Sequence, residues 1–294
     1  MSKKLEDVVN QIHCIDVVEG MKQIPDDSVS LIFTSPPYNV NIDYGTHEDD
    51  AAWNEYLNWL KEIWIQSHRI LRTGGRLAIN IDSIVNHEDD NDKEYYRPIY
   101  ADLVNQMRQI DGMNFRTEIC WYKQNTVGRK TAWGSFKSCS NPITRRNHEY
   151  ILVWSKDSWQ LPKLDYESDL TKSEFTNWIC STWHISPETQ NRGGHPVPFP
   201  EELARRVIKM YCYPNDIVLD PFNGSGTTTK VALALGRQYI GVDLDEKYCA
   251  YAKRRLEEGL AQQKLEKQML EAQLEQEKKV KDKKNTPEVD IFGG

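Results

Sequence analysis

The chain predicts an α/β fold built on a mostly parallel sheet with helices on both faces, and three observations carry that prediction. Apolar runs of strand length recur between helix-length stretches along most of the 294 residues. One such run, residues 29–33, ends in the turn Thr34-Ser35-Pro36-Pro37-Tyr38-Asn39. Another, residues 217–219, ends in Asp220-Pro221-Phe222-Asn223-Gly224-Ser225-Gly226, then a helix-length stretch and a further apolar run closing on Asp243. Strand, Gly-rich turn, helix, strand and terminal acid is the order of a nucleotide-binding unit, which takes its ligand beyond the C-terminal ends of its strands.

The first turn is built from unusual chemistry. Pro36 and Pro37 remove two N–H donors and fix φ at both positions. What remains is a rim of carbonyl acceptors, the Ser35 hydroxyl and the Tyr38 ring. Such a rim suits a planar group bearing NH₂ hydrogens, such as the amino edge of a nucleobase; the alternative is an ordinary proline turn.

Next comes a helix over residues 51–71, with Trp53, Tyr56, Leu57, Leu60, Trp64 and Ile65 on one stripe. Gly74-Gly75 is expected to end it before a strand at 76–81. A helix at 97–109 and strands at 115–122 and 148–154 follow. Between Lys123 and Asn147 lie Lys123, Arg129, Lys130, Lys137, Arg145 and Arg146 without any Asp or Glu, and Trp133 is interleaved among them. This reads as a phosphate-contacting segment for a polynucleotide, the alternative being a solvated loop. Residues 87–92 are acidic and are expected to face away from such a partner or to order only on binding it.

In the second turn, Gly224 and Gly226 permit a tight bend and close approach of backbone to ligand. Thr227, Thr228 and Thr229 are expected to cap a helix that runs to about Leu235. Asp243 sits at the end of the next strand, where a carboxylate accepts from ribose hydroxyls. No Gly-Lys-Ser/Thr pattern is present, and Asp220 would repel a phosphate while suiting an ammonium. A nucleoside carrying a cationic amino-acid arm describes S-adenosyl-L-methionine.

Composition narrows the class. A net charge of −7 argues against a protein that coats DNA, so basic residues must cluster if DNA binds. No apolar run reaches a membrane span, and the N-terminal residues lack a signal segment, so a cytoplasmic protein is expected. Six cysteines without Cys-x-x-Cys spacing read as reduced thiols, and seven histidines without ligand spacing predict no metal.

Ser35-Pro36-Pro37-Tyr38 and the stretch from Asp220 through Gly224, Gly226, Thr227 and Thr228 resemble the DNA amino-methyltransferases. The order, catalytic motif before cofactor loop, is that of the β group, and the resemblance spans about residues 10–255. It implies a Rossmann-like S-adenosyl-L-methionine-dependent methyltransferase fold acting on double-stranded DNA. By the same resemblance, Ser35, Pro36, Pro37 and Tyr38 hold a flipped-out base. Thr34, Asp220, Pro221, Phe222, Gly224, Ser225, Gly226, Thr227, Thr228, Asp243 and Leu244 hold the cofactor. His195, Pro196 and Phe199 match the segment lining its methionine end. Asp16 stands where the family places an adenine-side acid, although Cys14 replaces the usual Gly.

Ser at the first tetrapeptide position resembles the N4-cytosine enzymes, whereas N6-adenine enzymes, the alternative, usually carry Asp. C5 methylation would need a Cys beside the proline, so no covalent intermediate is expected. The implied organisation is a catalytic half (10–154), a target-recognition segment (155–191) and a cofactor half (192–255). A helical extension (256–284), with a loose seam of Leu265, Met269, Ala272, Gln276 and Val280, and a disordered tail (285–294) complete it. A cognate restriction endonuclease and a second copy of the chain are the further partners this reading admits. A non-catalytic S-adenosyl-L-methionine-binding subunit is the alternative of another class; the intact Ser35–Tyr38 rim speaks against it. Both turns should therefore open on one pocket.

Overall fold

The computed structural model describes residues 3–40, 51–88, 94–123, 140, 146–162, 167–188 and 198–284. In chain order the elements are β1 (Gln11–Cys14), α1 (Val17–Gln23), β2 (Val29–Thr34), α2 (Trp53–Ile70) and β3 (Leu71–Ile81). A separate two-stranded ribbon follows, β4 (Val85–Glu88) and β5 (Glu94–Arg97), then α3 (Ile99–Met107), β6 (Met113–Tyr122) and β7 (His148–Lys156). The chain continues through α4 (Lys172–Trp178), β8 (Thr182–His184), α5 (Glu201–Tyr211), β9 (Ile217–Asp220), α6 (Thr227–Ala234), β10 (Gln238–Asp243) and α7 (Glu246–Lys284).

Eight strands form one sheet in the order β1-β10-β9-β2-β3-β7-β6-β8. Every neighbouring pair is parallel except β3–β7 and β7–β6, so β7 alone runs against the rest. From β9 the chain winds through α6 to β10 on one side; from β2 it winds through α2 to β3 on the other. The winding reverses between β9 and β2, which are paired through Ile32 and Leu219. This is the switch point at which sheets of this kind open a crevice.

Strand β2 is buried at all six positions, as expected of a strand covered on both faces. Ile32 packs into a core with Met21, Leu60, Ile63, Trp64 and Leu103, under α1, α2 and α3. Leu31 and Phe33 point the other way, into a core with Leu203, Val207, Ala232 and Ala252, under α5, α6 and α7. Full burial of a side chain such as Phe33 stabilises by about 1.5–3 kcal/mol relative to exposure.

Several local expectations change. Strand β3 starts at Leu71, and Gly74-Gly75 lies within it rather than before it. The register between β2 and β3 shifts there: Val29 opposes Leu71 while Leu31 opposes Arg76. Gly74 takes φ 75°, and a Cβ at that site would overlap the Gln160 carbonyl. The glycine pair thus makes a bulge, not a stop. On α2 the buried stripe includes Ile63 and Ser67, while Ile65 is 47% exposed. The helix expected at 97–109 is shorter, because Arg97 ends β5 and Pro98 caps α3.

The N-cap of α6 is Gly226, left-handed at φ 78°, and the three threonines form the first turn instead of capping it. Strand β7 runs to Lys156, so the first residues of the expected target-recognition segment belong to the sheet. The remainder of that segment contributes α4 and β8, with Trp178 and Trp183 buried and Trp159 exposed. Helix α7 extends through Lys284 as one element, but the side chains of its expected seam, and residues 285–294, lie outside the described residues. Among the described residues, no helix is long and apolar enough to cross a membrane.

Candidate active site

Strands β2 and β9 end side by side, so the two turns that follow them share one crevice. Thr34 Oγ1 donates to Asp220 Oδ1 at 2.6 Å, a buried bond between residues 186 apart in sequence. Thr228 Oγ1 donates to the Phe33 carbonyl at 3.4 Å, tying the Gly-rich turn back to β2. The crevice opens into a pocket of about 290 Å³ bounded by both turns.

One lobe lies over β9, β10 and β1. Its wall includes Asp16, Asp220, Phe222, Gly224, Asp243, Leu244 and Tyr248. Asp243 Oδ2 accepts from the Gly224 N–H at 2.6 Å, and Oδ1 accepts from the Asp245 N–H at 2.9 Å. The acid thus curls the Gly-rich turn toward itself. Gly226 has no room for a side chain, because a Cβ would stand 2.8 Å from Ala252 Cβ of α7. Arg255 of the same helix donates to the Ser225 carbonyl at 2.5 Å and pairs with Glu201, bracing the turn from behind. Asp16 caps α1 by accepting from the N–H groups of Val18 (2.9 Å) and Glu19 (3.1 Å).

The electrostatics of this lobe are acidic. Asp16, Asp220, Asp243 and Asp245 line it. Burial pushes the Asp220 carboxyl up to about 6, against the pull of hydrogen bonds from Thr34 and the Phe222 N–H. Burial also raises the Asp243 carboxyl. Such a site repels phosphate and favours hydroxyl donors and a positive charge. Thr227 Oγ1 and Asn223 Nδ2 are buried in the turn without a hydrogen-bond partner among the described residues. Acceptors for ribose, a backbone turn with room for close approach and carboxylates for a cationic arm fit S-adenosyl-L-methionine. Among the described residues, no group of three or more His, Cys, Asp or Glu could hold a metal ion.

The other lobe lies over the ends of β2, β3, β6 and β7. Its wall includes Ser35, Pro36, Tyr38, Asn80, Trp121, Lys123, Glu149 and Phe199. Ser35 Oγ and the Tyr38 hydroxyl are 3.3 Å apart, and Tyr38 donates to the Asn80 carbonyl at 3.5 Å. A carbonyl only accepts, so the single Tyr38 proton goes to Asn80 and Ser35 donates to Tyr38. That leaves the lone pairs of Ser35 Oγ directed elsewhere, as acceptors. Tyr56 Oη donates to the Pro37 carbonyl at 2.7 Å and stiffens the rim. Asn80 Nδ2 donates to Glu149 Oε2 at 2.6 Å, and Lys123 Nζ pairs with Glu149 Oε1.

The structure therefore brings Asp16, Ser35–Tyr38, Phe199, Asp220–Ser225, Thr227, Asp243 and Leu244 to one pocket, with Thr34 beneath it. Gly226 and Thr228 shape the turn from below. Lys123 lies in the pocket wall, while Arg146 is exposed on the surface. His195, Pro196, Arg129, Lys130, Trp133, Lys137 and Arg145 lie outside the described residues. Sequence reasoning missed Asn80, Trp121 and Glu149. A signal existed: each is a polar or aromatic residue near the sheet end that carries the rim, Asn80 inside an otherwise apolar run.

Comparison with known proteins agrees with this geometry. Residues 29–254 match the model of the N6/N4 DNA methylase family. The chain is 40% identical over 168 residues to the type II methyltransferase M.MjaVI of Methanocaldococcus jannaschii, covering 57% of this chain and 81% of that protein. It is 31% identical over 261 residues to the DNA adenine methyltransferase YhdJ of Escherichia coli K12, covering 82% and 81%. The structure of a DNA modification methylase from Thermus thermophilus, complexed with S-adenosyl-L-methionine, aligns with a TM-score of 0.68 at 30% identity, over 85% of this chain and 94% of that one. The chain accordingly belongs to the N6/N4 DNA methylase family and is an S-adenosyl-L-methionine-dependent DNA methyltransferase.

Proposed function

We propose that the enzyme methylates the exocyclic N4 of cytosine in a base flipped out of double-stranded DNA. One observation carries this reading: an acidic lobe beside the Gly-rich turn and a rim of amino-group acceptors open on a single pocket, joined by the Thr34–Asp220 bond. Bound S-adenosyl-L-methionine supplies an electrophilic methyl carbon on a sulfonium. Asp243 and the Gly-rich turn would hold its ribose, and Asp220 its cationic arm.

The residues of the second lobe address the harder half of the problem. An exocyclic amino nitrogen is a weak nucleophile because its lone pair is conjugated with the ring. Ser35 Oγ and the Pro36 carbonyl accept the two amino hydrogens and favour a pyramidal nitrogen with its lone pair out of conjugation. The contribution is positioning and dipole placement, within a rim held rigid before substrate arrives. Tyr38 offers its ring face to the base, which must leave the duplex to reach the pocket.

Cytosine is favoured because Ser35, a neutral acceptor, stands where adenine enzymes usually carry a carboxylate. The N6-adenine reading has its own support in the similarity to YhdJ. Similarity to a type II methyltransferase supports a role beside a cognate restriction endonuclease. Mass spectrometry of nucleosides from DNA incubated with enzyme and cofactor tests the reading. N4-methylcytosine is the expected product; N6-methyladenine alone would reverse the base assignment. Sequencing the same DNA for modified positions would yield the target site.

A further inference from the structure

Lys123 follows the last residue of β6 and stands in the wall of the second lobe. It is the one basic side chain among the described residues that line the pocket. Its surroundings place it with unusual definition. Nζ pairs with Glu149 Oε1 and lies 4.9 Å from the centroid of the Trp121 ring. Glu149 is only 6% exposed, and its other oxygen accepts from Asn80 Nδ2 at 2.6 Å. A carboxylate only accepts, so Glu149 also dictates which way the Asn80 amide turns. The backbone carbonyl of Asn80 in turn receives the Tyr38 hydroxyl. The ammonium is thus linked through Glu149, Asn80 and Tyr38 to Ser35, the acceptor at the rim.

Charge decides what such a group can bind. Phosphate recognition draws on net positive charge, which neutralises phosphates and releases their condensed counterions. Here Glu149 already neutralises Lys123, and Asp220, Asp243 and Glu188 line the same pocket. An ammonium has three N–H donors, and the Glu149 pair takes one of them. A neutral acceptor in the plane of a base suits it better. Cytosine and adenine both carry a ring nitrogen acceptor beside the amino-bearing carbon, N3 in one and N1 in the other. Thymine and guanine carry an N–H at the corresponding ring position, which would face the ammonium donor to donor.

We infer that Lys123 is a specificity-determining residue that donates to the ring nitrogen beside the target amino group, and that Glu149 and Asn80 are positioning residues that hold it there. The inference rests on the reading of this lobe as the target-base lobe. It removes Lys123 from the phosphate-contacting set that its neighbours in sequence suggest.

The test is a chemical double-mutant cycle on the full chain. Duplexes carry the mapped target site with either the natural base or its deaza analogue, 3-deazacytosine or 1-deazaadenine, in which C–H replaces that ring nitrogen. Lys123→Met should lower kcat/KM on the natural duplex by about 10- to 100-fold, the loss of a hydrogen bond to a charged group. On the deaza duplex, wild type and variant should agree within about twofold. The salt dependence of DNA affinity should be the same for both proteins. Because Lys123→Met strands a buried carboxylate, Lys123→Met with Glu149→Gln repeats the cycle without it, and the same pattern is expected. Equal losses on both duplexes, with a salt slope smaller by about 0.9, would mark Lys123 as a phosphate contact and overturn the inference. A wild-type enzyme that leaves the natural duplex unmethylated overturns the target-base reading itself, and this inference with it.

Discussion

Asp220→Asn separates what the Asp220 charge does for binding from what it costs the fold. The carboxyl is 2% exposed, and burial lifts it from 3.8 to about 6. A shift of roughly two units corresponds to about 3 kcal/mol between the folded and unfolded states. The sign follows from proton uptake. Between about pH 4 and pH 6 the folded protein holds a proton that the unfolded chain has lost, so stability falls as pH rises through that window, and above it the full cost is present. Asparagine keeps an acceptor for Thr34 Oγ1 and the Phe222 N–H, and removes both the charge and its repulsion by Asp243. Urea denaturation without cofactor should find Asp220→Asn more stable than wild type by about 1–3 kcal/mol at pH 8, with the difference gone near pH 4. Calorimetry at pH 8 should find its affinity for S-adenosyl-L-methionine lowered by about tenfold or more, the loss of a charged partner. A variant no more stable than wild type at pH 8, or one that binds cofactor undiminished, would refute the reasoning.

Substitutions at two further residues probe other joints. Tyr38→Phe deletes the hydroxyl that directs Ser35 and keeps the ring; single-turnover methyl transfer should slow by about 2- to 10-fold with cofactor affinity unchanged, whereas Tyr38→Ala should be far slower. Arg237 is fully buried and forks onto Asp169 at 2.6 and 2.7 Å while donating to the Cys212 carbonyl. It pins the segment before α4 to the start of β10, so Arg237→Ala should lower the unfolding free energy by about 3–5 kcal/mol in urea titrations. Arg237→Lys should recover only part of it, for want of the bidentate fork.

Much of the fold is written locally in the chain, and the exceptions have physical causes. The apolar run of β2 and the paired prolines after it identify a buried strand and a rigid rim without reference to any other residue. The glycines of the second turn do the same for β9. Gly74-Gly75 misleads, because a glycine pair reads as a break, while its role in a bulge depends on the register of β2 against β3. The threonines after Gly226 mislead for a related reason: a left-handed glycine takes the cap, and the hydroxyls of Thr228 and Thr229 turn to Phe33 and Asn223. The cluster of Asn80, Lys123 and Glu149 was least legible. Its members come from β3, β7 and the residue after β6, with Glu149 69 and 26 residues along the chain from Asn80 and Lys123, and only the antiparallel placement of β7 brings them to one rim.

Calorimetric titration with a bisubstrate ligand, adenosine linked through its 5′ position to the amino nitrogen of the target base, tests most directly whether the two lobes serve one reaction. Binding should be at least about tenfold tighter than for either half alone, and should weaken both on Asp243→Ala at one end and on Tyr38→Ala at the other. An affinity no greater than that of the tighter half, indifferent to substitution at one end, would mean that donor and base do not meet in this pocket.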